Sequence, residues 1–296
     1  MQRLNILLQH VLPQHAISRV VLVFTRIRFR PLKNLLIALF MRGFKPDMSD
    51  AVVTNPFAYD TFNAFFTRAL RADARPLRGD TRTVISPVDG TMSELGPIEH
   101  NRILQAKGHF YTLQALLAGA AATWTERFIG GHFATIYLAP YNYHRIHMPT
   151  DGTLQAAWYV PGRLFSVNAA AAAGVPGLFA RNERLVLLFD GSCGAFAVIF
   201  VGALNVGSMA TVWHGDVTPR RPRQVTELPL PPAADRCRAR GDEIGRFNMG
   251  STVVLLFAPE RIALAAALAH GTTLRLGQEL GTLQACHGEP TRDRST

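Results

Sequence analysis

The sequence has few cysteines, and none of its apolar runs is long enough to cross a bilayer. The three cysteines are far apart and form neither a CxxC pair nor a zinc-ligand pattern: Cys193, Cys237 and Cys286. We therefore expect a reducing compartment and no bound metal. Each apolar run is shorter than the ~20 residues of a membrane-spanning helix. No small-residue cleavage site follows these runs, which disfavours a secretory signal peptide.

The first 46 residues contain no aspartate or glutamate. Eight of the lysines and arginines lie there, so this segment carries most of the formal net charge of +10 and leaves +2 for residues 47–296. The remainder of the chain shows no basic stripe interleaved with stacking aromatic residues. We therefore expect no nucleic-acid partner.

Within residues 1–46, apolar clusters alternate with the basic side chains, and Pro13 and Pro31 divide the segment. This pattern predicts two or three short cationic, amphipathic helices, a type that binds anionic membrane surfaces. Residues 1–46 are therefore predicted to be a membrane-association segment. A basic helical cap packed on the core and a mitochondrial targeting sequence are the two alternatives.

The rest of the chain, residues 47–296, has the composition of one folded domain. The 296 residues are 48% hydrophobic and 18% charged, which is enough to bury one core. Over residues 59–70, three phenylalanines recur at helical spacing and predict a core-packed helix. From about Thr83, short apolar stretches separated by Gly, Pro and Asp predict β-strands, interrupted by a helical region at 113–128. We predict an α+β fold with a mostly antiparallel β catalytic domain, and an exposed connection at 219–244.

A Gly-Ser pair stands directly before the apolar run Val253–Phe257, which predicts a buried strand. On one interpretation, Gly250 and Ser251 form a turn into that strand. On the other, the peptide bond between them is the substrate of a self-cleavage. Glycine leaves its carbonyl unshielded, so the Ser251 hydroxyl can attack it.

A carboxylate and two histidines could activate this serine. Asp89 lies in a predicted turn, while His144 and His147 are three residues apart in a predicted loop. In a triad the aspartate fixes the histidine tautomer and the histidine accepts the serine proton. A zinc site is not expected, because no third ligand follows at a suitable spacing. The residues alone leave open whether these groups meet, the alternatives being a hairpin turn and ordinary loop histidines.

Several ordered motifs give the chain a family resemblance from its N-terminus to about residue 284. The sequence resembles bacterial-type phosphatidylserine decarboxylases, pyruvoyl-dependent enzymes made as self-cleaving proenzymes. The motifs are Ser86–Gly90, Gln105–Tyr111, Tyr143–Pro149, Leu164–Asn168, Leu178–Arg184 and Met249–Thr252. The family's cleavage motif has leucine where this chain has Met249. Since methionine is apolar and of similar volume, we expect processing to survive.

The resemblance implies a role for each candidate residue. Asp89, His147 and Ser251 correspond to the family's self-processing triad. Cleavage between Gly250 and Ser251 would give a large chain, 1–250, and a small chain, 251–296. The small chain would begin with a pyruvoyl group derived from Ser251, the only cofactor implied. This ketone would form a Schiff base with the amine of phosphatidylserine and accept electrons as CO2 leaves, and His144 is the expected proton donor that completes phosphatidylethanolamine.

The implied partners are phosphatidylserine, an anionic membrane surface and the two chains of the same proenzyme, with a homodimer left open. The implied location is peripheral, on the cytoplasmic face of the bacterial cell membrane. The phosphate-binding residues are left open among Arg145, Arg181 and Arg184. Two other functions remain: a membrane-associated serine hydrolase using the same triad, and a non-catalytic lipid-binding module.

Overall fold

The chain forms short helices and antiparallel strands. They are seen in a computed structural model that describes residues 9–106, 108–192, 194–204, 208–220 and 223–284. Cys193 and Cys286 lie outside these residues, and Cys237 is exposed and unpaired. The α-helices are Gln14–Thr25 (α1), Arg30–Phe44 (α2), Phe62–Phe66 (α3), Leu113–Leu117 (α4), Ala121–Phe128 (α5), Ala169–Gly174 (α6), Leu178–Arg181 (α7) and Ala233–Arg236 (α8).

The strands all lie after residue 82. They are Thr83–Ile85 (β1), Gly90–Pro97 (β2), Arg102–Ala106 (β3), His109–Thr112 (β4), His132–Tyr137 (β5), Arg145–His147 (β6), Gly152–Val160 (β7), Arg184–Gly191 (β8), Gly194–Val201 (β9), Met209–Thr211 (β10), Gly215–Asp216 (β11), Thr226–Glu227 (β12), Cys237–Arg238 (β13), Glu243–Phe247 (β14), Thr252–Phe257 (β15), Ile262–Leu264 (β16), Thr273–Leu274 (β17) and Glu279–Leu283 (β18).

The largest sheet has nine strands, in the order β12-β7-β8-β9-β15-β5-β2-β17, and β13 also pairs with β7. Strand β15 lies inside it, with Thr252 opposite Val201 on one side and Tyr137 on the other. All six residues of β15 are buried. Because both faces of the strand are covered, its sequence is a continuous apolar run rather than an alternation. The predicted buried strand after Ser251 is confirmed.

A smaller sheet brings one of the candidate histidines beside the chain that leads to the serine. Its order is β11-β10-β14-β6, and Arg145 of β6 lies opposite Arg246 of β14. The other sheets are β1-β18-β16 and β3-β4. Every pair of these strands is antiparallel, which confirms the predicted mostly antiparallel α+β fold.

The N-terminal segment is helical, as predicted, from residue 9 onwards in the part that the structure describes. Helix α2 carries Pro31 in its first turn. Backbone N–H groups in the first turn have no acceptor within the helix, so the missing N–H of proline costs no helical hydrogen bond. It ends at Lys45, whose left-handed backbone (φ 49°) lets its N–H donate to the Met41 carbonyl at 3.1 Å. The two N-terminal helices expose large apolar side chains: Val20, Val23, Phe24, Leu35, Leu39 and Phe44.

A second, smaller core joins α2 to α3 and to the residue before the Gly-Ser pair. Its buried members are Ile37, Phe40, Met48, Ala51, Phe62, Phe65 and Phe66, and Met249 packs against them. The predicted phenylalanine stripe is therefore core packing. Lys33 ties α2 to the same region, because its buried ammonium donates to the carbonyls of Phe57 and Tyr59, each at 2.7 Å.

The segment predicted to be an exposed connection, 219–244, does more than connect. Within its described residues, β12 and β13 both pair with β7 and extend the edge of the largest sheet. The prediction was wrong on this point. These strands are only two residues long and rich in polar residues, so they lack the apolar alternation by which a strand is recognised in sequence.

No helix in the described part of the chain is both long and apolar enough to cross a membrane.

We predict that Phe40→Ala destabilises the fold by about 3–5 kcal/mol, the usual loss for a buried phenylalanine. Phe40 is 9% exposed and makes edge contacts with Phe62, Phe65 and Phe66 at centroid distances of 5.3, 5.9 and 5.7 Å. Urea unfolding followed by fluorescence measures the change. The matched control is Leu39→Ala, because Leu39 is 60% exposed and its neighbour in the same helix. Equal loss in the two variants would contradict the second core.

Candidate functional site

Ser251 lies at the entrance to β15 and is fully buried (0% exposed). Its backbone carbonyl accepts a hydrogen bond from the Leu138 N–H at 2.9 Å, which fixes the residue against the end of β5. Its hydroxyl is different, because the buried Oγ has no hydrogen-bond partner among the described residues. An unpaired buried hydroxyl costs about 1–3 kcal/mol, so its retention calls for an explanation.

Gly250 leaves room where a side chain would crowd the site. A Cβ at this position would lie 3.3 Å from the Leu138 carbonyl oxygen and 3.4 Å from Cε1 of His144. The neighbour that glycine accommodates is therefore one of the two candidate histidines. The backbone holds it there, because the Phe247 N–H donates to the His144 carbonyl at 3.0 Å.

His144 is held in an apolar setting. Its ring is fully buried and stacks on Phe66 of α3 at a centroid distance of 4.1 Å. Nε2 lies 3.3 Å from the Pro140 carbonyl, and Nδ1 has no hydrogen-bond partner among the residues that the structure describes. Burial, together with the nearby positive charge of Arg68, lowers the pKa of His144 to about 3. The imidazole is therefore neutral at physiological pH.

His147 lies at the end of β6 and is held by hydrogen bonds at both ring nitrogens. Nδ1 donates to the Gly241 carbonyl at 2.7 Å, which makes Nε2 the basic nitrogen of the neutral ring. Nε2 lies 3.0 Å from the Tyr143 hydroxyl, which donates to it. Burial lowers the pKa of His147, although the Gly241 hydrogen bond and the negative charges of Glu243 and Asp89 act in the opposite direction.

Asp89 is nearly buried and forms a two-pronged ion pair with Arg75. Nε of Arg75 lies 3.0 Å from Oδ1, and Nη2 lies 2.7 Å from Oδ2. The Leu276 N–H also donates to Oδ1 at 2.8 Å. Arg75 reaches Asp50 as well, at 2.7 Å. The hydrogen bonds to Asp89, together with the second carboxylate, raise the pKa of Arg75 and keep its charge fixed.

The structure brings the four predicted residues into one region without joining them as a hydrogen-bonded triad. A backbone bond of 2.9 Å from the His147 N–H to the Pro87 carbonyl ties the histidine to the turn that carries Asp89. In this unsplit chain, however, the carboxylate bonds to Arg75, and the His147 ring bonds to Tyr143 and Gly241. His144, rather than His147, is the histidine in contact range of Gly250.

Four neighbours that shape the site were not singled out from sequence: Phe66, Arg68, Arg75 and Tyr143. Phe66 belongs to the predicted phenylalanine stripe, but its stacking on His144 depends on a contact between distant segments. Arg75 lies in an irregular stretch with no periodic pattern. Tyr143 lies in the motif Tyr143–Pro149. Its spacing of four residues from His147 is the sequence feature that could have indicated their hydrogen bond.

Of the arginines left open as phosphate ligands, Arg184 is committed elsewhere. Its buried guanidinium donates to backbone carbonyls of Leu116 at 2.7 Å and Ala180 at 2.7 Å, among others. Arg181 is exposed and lies over the Phe165 ring. Arg145 remains beside the site, where its Nε donates to the Thr67 carbonyl at 2.9 Å. Within the described ranges, no group of three His, Cys, Asp or Glu residues could hold a metal ion.

Comparison with known proteins gives a consistent result over nearly the whole chain. A sequence model of the family described as phosphatidylserine decarboxylase matches residues 62–282, and another, described as PSD, matches residues 4–45. The phosphatidylserine decarboxylase proenzyme of Ectopseudomonas mendocina is 49% identical over 284 residues, covering 96% of this chain and 99% of the relative. Those of Azotobacter vinelandii and Bordetella avium are each 50% identical, covering 94% and 95% of this chain and 98% and 95% of the relatives.

The matched family model spans the serine, the carboxylate and both histidines, and the relatives align with both the N-terminal helices and the sheets. The chain belongs to the phosphatidylserine decarboxylase family.

Proposed function

We propose that this chain decarboxylates phosphatidylserine to phosphatidylethanolamine, using a pyruvoyl group that it makes from its own Ser251. The observation that carries the proposal is the buried Ser251 hydroxyl, which follows a glycine and has no hydrogen-bond partner in the described part of the chain. Its relatives are named proenzymes, a term for precursors that mature by cleavage. The site fits such a group, because Gly250 keeps the space before the serine open.

The first reaction is cleavage of the chain between Gly250 and Ser251. The Ser251 Oγ attacks the Gly250 carbonyl carbon, its proton passes to a histidine, and the same proton is returned to the Ser251 amide nitrogen as the C–N bond breaks. An ester then joins the two residues. Loss of the Ser251 Cα proton expels the Gly250 carboxylate, and hydrolysis of the remaining enamine releases ammonia and leaves the ketone.

We assign the proton transfer in this cleavage to His147, supported by Asp89. His147 is neutral with its basic Nε2 defined by the Nδ1 bond to Gly241, which is the state that a general base requires. Once it takes the proton, the negative charge of Asp89 stabilises the imidazolium. Arg75 positions the carboxylate, and the Tyr143 hydroxyl bonded to Nε2 must move aside or relay the proton.

The pyruvoyl group would supply a ketone that condenses with the substrate amine and accepts the electrons released as CO2 leaves. We assign to His144 the delivery of the proton that takes the place of CO2 on the substrate carbon. With a pKa of about 3 in the unsplit chain, His144 is neutral. It must therefore gain a proton in the complex, and the negative charge that the substrate brings into the site favours this gain.

The substrate is a membrane lipid, and we assign the N-terminal helices to the membrane surface. Exposed apolar side chains such as Leu35 and Leu39 stand on α2 close to basic residues. Apolar burial and attraction to anionic lipids together hold such helices in the interface. We therefore propose a peripheral location on the cytoplasmic face of the cell membrane.

The buried serine also weighs against the alternative of a serine hydrolase. A hydrolase would use Ser251 in the unsplit chain, and there the residue is 0% exposed to an external ester or peptide. Phosphatidylserine, by contrast, would meet the ketone only after the chain has split. A buried hydroxyl next to its own scissile carbonyl suits an intramolecular attack. The remaining alternative, a lipid-binding module without activity, predicts an unsplit chain that releases no CO2.

We predict that Ser251→Ala abolishes both chain splitting and CO2 release, because the variant lacks the attacking oxygen and the source of the ketone. Intact mass measures the first effect: the wild-type chain should give fragments 1–250 and 251–296, the smaller without a free amine. Radiolabelled CO2 from phosphatidylserine measures the second. A wild-type preparation that is active but unsplit would refute the proposal.

We predict that the two histidines separate in their effects. His147→Ala should slow splitting by at least ~100-fold, the usual contribution of a positioned general base. His144→Ala should reduce decarboxylation by more than it reduces splitting. Splitting is followed by denaturing gel after synthesis in a cell-free system, and decarboxylation is normalised to the split fraction. Equal loss of both activities in the His144 variant would contradict the separate roles.

We predict that the double variant Leu35→Ser, Leu39→Ser binds anionic vesicles at least ~100-fold more weakly, because each leucine loses ~1.5–3 kcal/mol of apolar burial. Co-sedimentation with phosphatidylglycerol vesicles measures the binding. The control is Val212→Ser, because Val212 is 44% exposed but lies after β10, away from the N-terminal helices. Equal weakening by the control would argue against a membrane-facing role for α2.

A further inference from the structure

A cavity of about 390 Å³ lies beside the site, between the end of α3 and the sheet that carries β6 and β14. Three arginines line it: Arg68, Arg145 and Arg246. None of the described residues that line it is an aspartate or a glutamate. Like charges around one space repel one another, so an anion bound between them would stabilise this arrangement.

Arg145 and Arg246 come together through the register of the small sheet. They are cross-strand partners of β6 and β14, a position in which like charges destabilise a sheet. Arg145 is compensated by Glu243 at 2.8 Å. Arg246 has no ion-pair partner among the described residues, and its buried Nε has no hydrogen-bond partner.

Arg68 is the most unusual of the three. It is only 3% exposed, yet none of the described carboxylates forms an ion pair with it. Nη2 donates to the Tyr141 carbonyl at 3.3 Å, while Nε and Nη1 have no partner among the described residues. Burial lowers the pKa of Arg68, and the negative charges of Asp89 and Asp47 offset this only in part, but a guanidinium keeps its proton at physiological pH. A buried charge without a directly bonded carboxylate is costly, and an anion in the cavity that the side chain lines would offset this cost.

We propose that this cavity binds the phosphodiester of the phospholipid substrate, with Arg68 and Arg246 as its principal ligands. The inference rests on the function proposed above and names the part of the substrate that this surface recognises. Guanidinium groups suit the task, because their planar fork of donors matches phosphate oxygens in pairs.

A short series of contacts links the cavity to Ser251. Residues 63, 64, 67 and 68 line the cavity, and Phe66 of the same turn stacks on His144, which in turn lies against Gly250. In phosphatidylserine a single CH2 separates the phosphate ester oxygen from the carbon that bears the amine. The proposal therefore requires a lipid whose phosphate is held at Arg68 to present its amine at the position of Ser251.

The chemistry of the reaction selects phosphate over the other anion of the headgroup. The substrate carboxylate loses its charge as it becomes CO2, so arginines bound to it would stabilise the starting state and raise the barrier. The phosphodiester keeps its charge throughout. Binding energy gained there positions the substrate without opposing the reaction.

The rim of the cavity suits the lipid part of the same molecule. Val52 and Val53 line it and are 61% and 38% exposed. In the proposed complex these exposed apolar side chains contact the glycerol and acyl chains of the lipid, outside the charged interior of the cavity. A free inorganic phosphate would gain nothing from such a rim.

Binding to an unsplit chain tests the inference without relying on catalysis. Arg68→Gln is placed in the Ser251→Ala background, and calorimetry measures the affinity for three dihexanoyl lipids below their micelle concentrations. Phosphatidylserine has both anions, phosphatidylethanolamine has the phosphodiester alone, and dihexanoylglycerol has neither. The matched control is Arg127→Gln, because Arg127 is half-exposed on α5 and pairs with Asp190 away from the cavity.

We expect Arg68→Gln to weaken the binding of both phospholipids by about 10- to 100-fold, the usual effect of removing a charge-assisted, partly buried pair. Dihexanoylglycerol should bind as before, and Arg127→Gln should change none of the three. Arg246→Gln should weaken the same two lipids by at least ~3-fold. If Arg68→Gln does not fold, as judged by near-ultraviolet circular dichroism, the Arg246 variant decides the question alone.

Three results would overturn the inference. Loss of phosphatidylserine binding with phosphatidylethanolamine binding intact would assign the cavity to the carboxylate. Unchanged binding of phosphatidylserine and phosphatidylethanolamine by the arginine variants would show that these arginines do not bind the headgroup. Arg68-dependent binding of inorganic phosphate, with lipid binding independent of Arg68, would assign the cavity to free phosphate. Failure of the proposed function is distinguishable, because it appears as a wild-type chain that neither splits nor releases CO2, while this binding comparison stands.

Discussion

The chemistry of this chain depends on excluding water from the start of β15. Ser251 lies where a fully buried central strand begins, so its hydroxyl can reach neither solvent nor another hydrogen-bond partner. The same exclusion keeps His144 neutral and makes each nearby charge more effective than it would be in water. The carbonyl of Gly250 precedes this hydroxyl directly in the chain. Burial thus favours self-cleavage over attack on an external substrate by the unsplit chain.

The charged groups around this dry site are arranged in two sets with different tasks. On one side Arg75 fixes Asp89, whose charge favours the protonated form of His147. On the other, Arg68 and Arg246 line a cavity, and neither forms an ion pair with a described carboxylate. The first set is internally compensated. In our proposal an anion completes the second set. The charge of Arg68 also contributes to the low pKa of His144, the histidine to which we assign delivery of the final proton.

Much of the fold follows from local pattern, and the exceptions have physical causes. The buried strand after Ser251 and the phenylalanine helix were predictable, because apolar runs and helical spacing record burial directly. The short edge strands in 219–244 were missed, since two residues carry no readable period. Among site residues, the serine, the aspartate and both histidines could be chosen from chemistry and resemblance. Arg68 and Arg75 could not, because an arginine in an irregular stretch looks the same whether it is solvated or buried.

The sequence by itself determined which groups are available: a Gly-Ser bond before a buried strand, an Asp-Gly turn, a pair of histidines and an acid-free N-terminal segment. These are properties of residue type and spacing, and they survive in any conformation. Only the tertiary structure decided which groups meet. In the fold His144, rather than His147, lies against Gly250, and Asp89 forms an ion pair with Arg75. Three arginines line one cavity. Such contacts join segments far apart in the chain, and their energies depend on distance and burial, which no local pattern encodes.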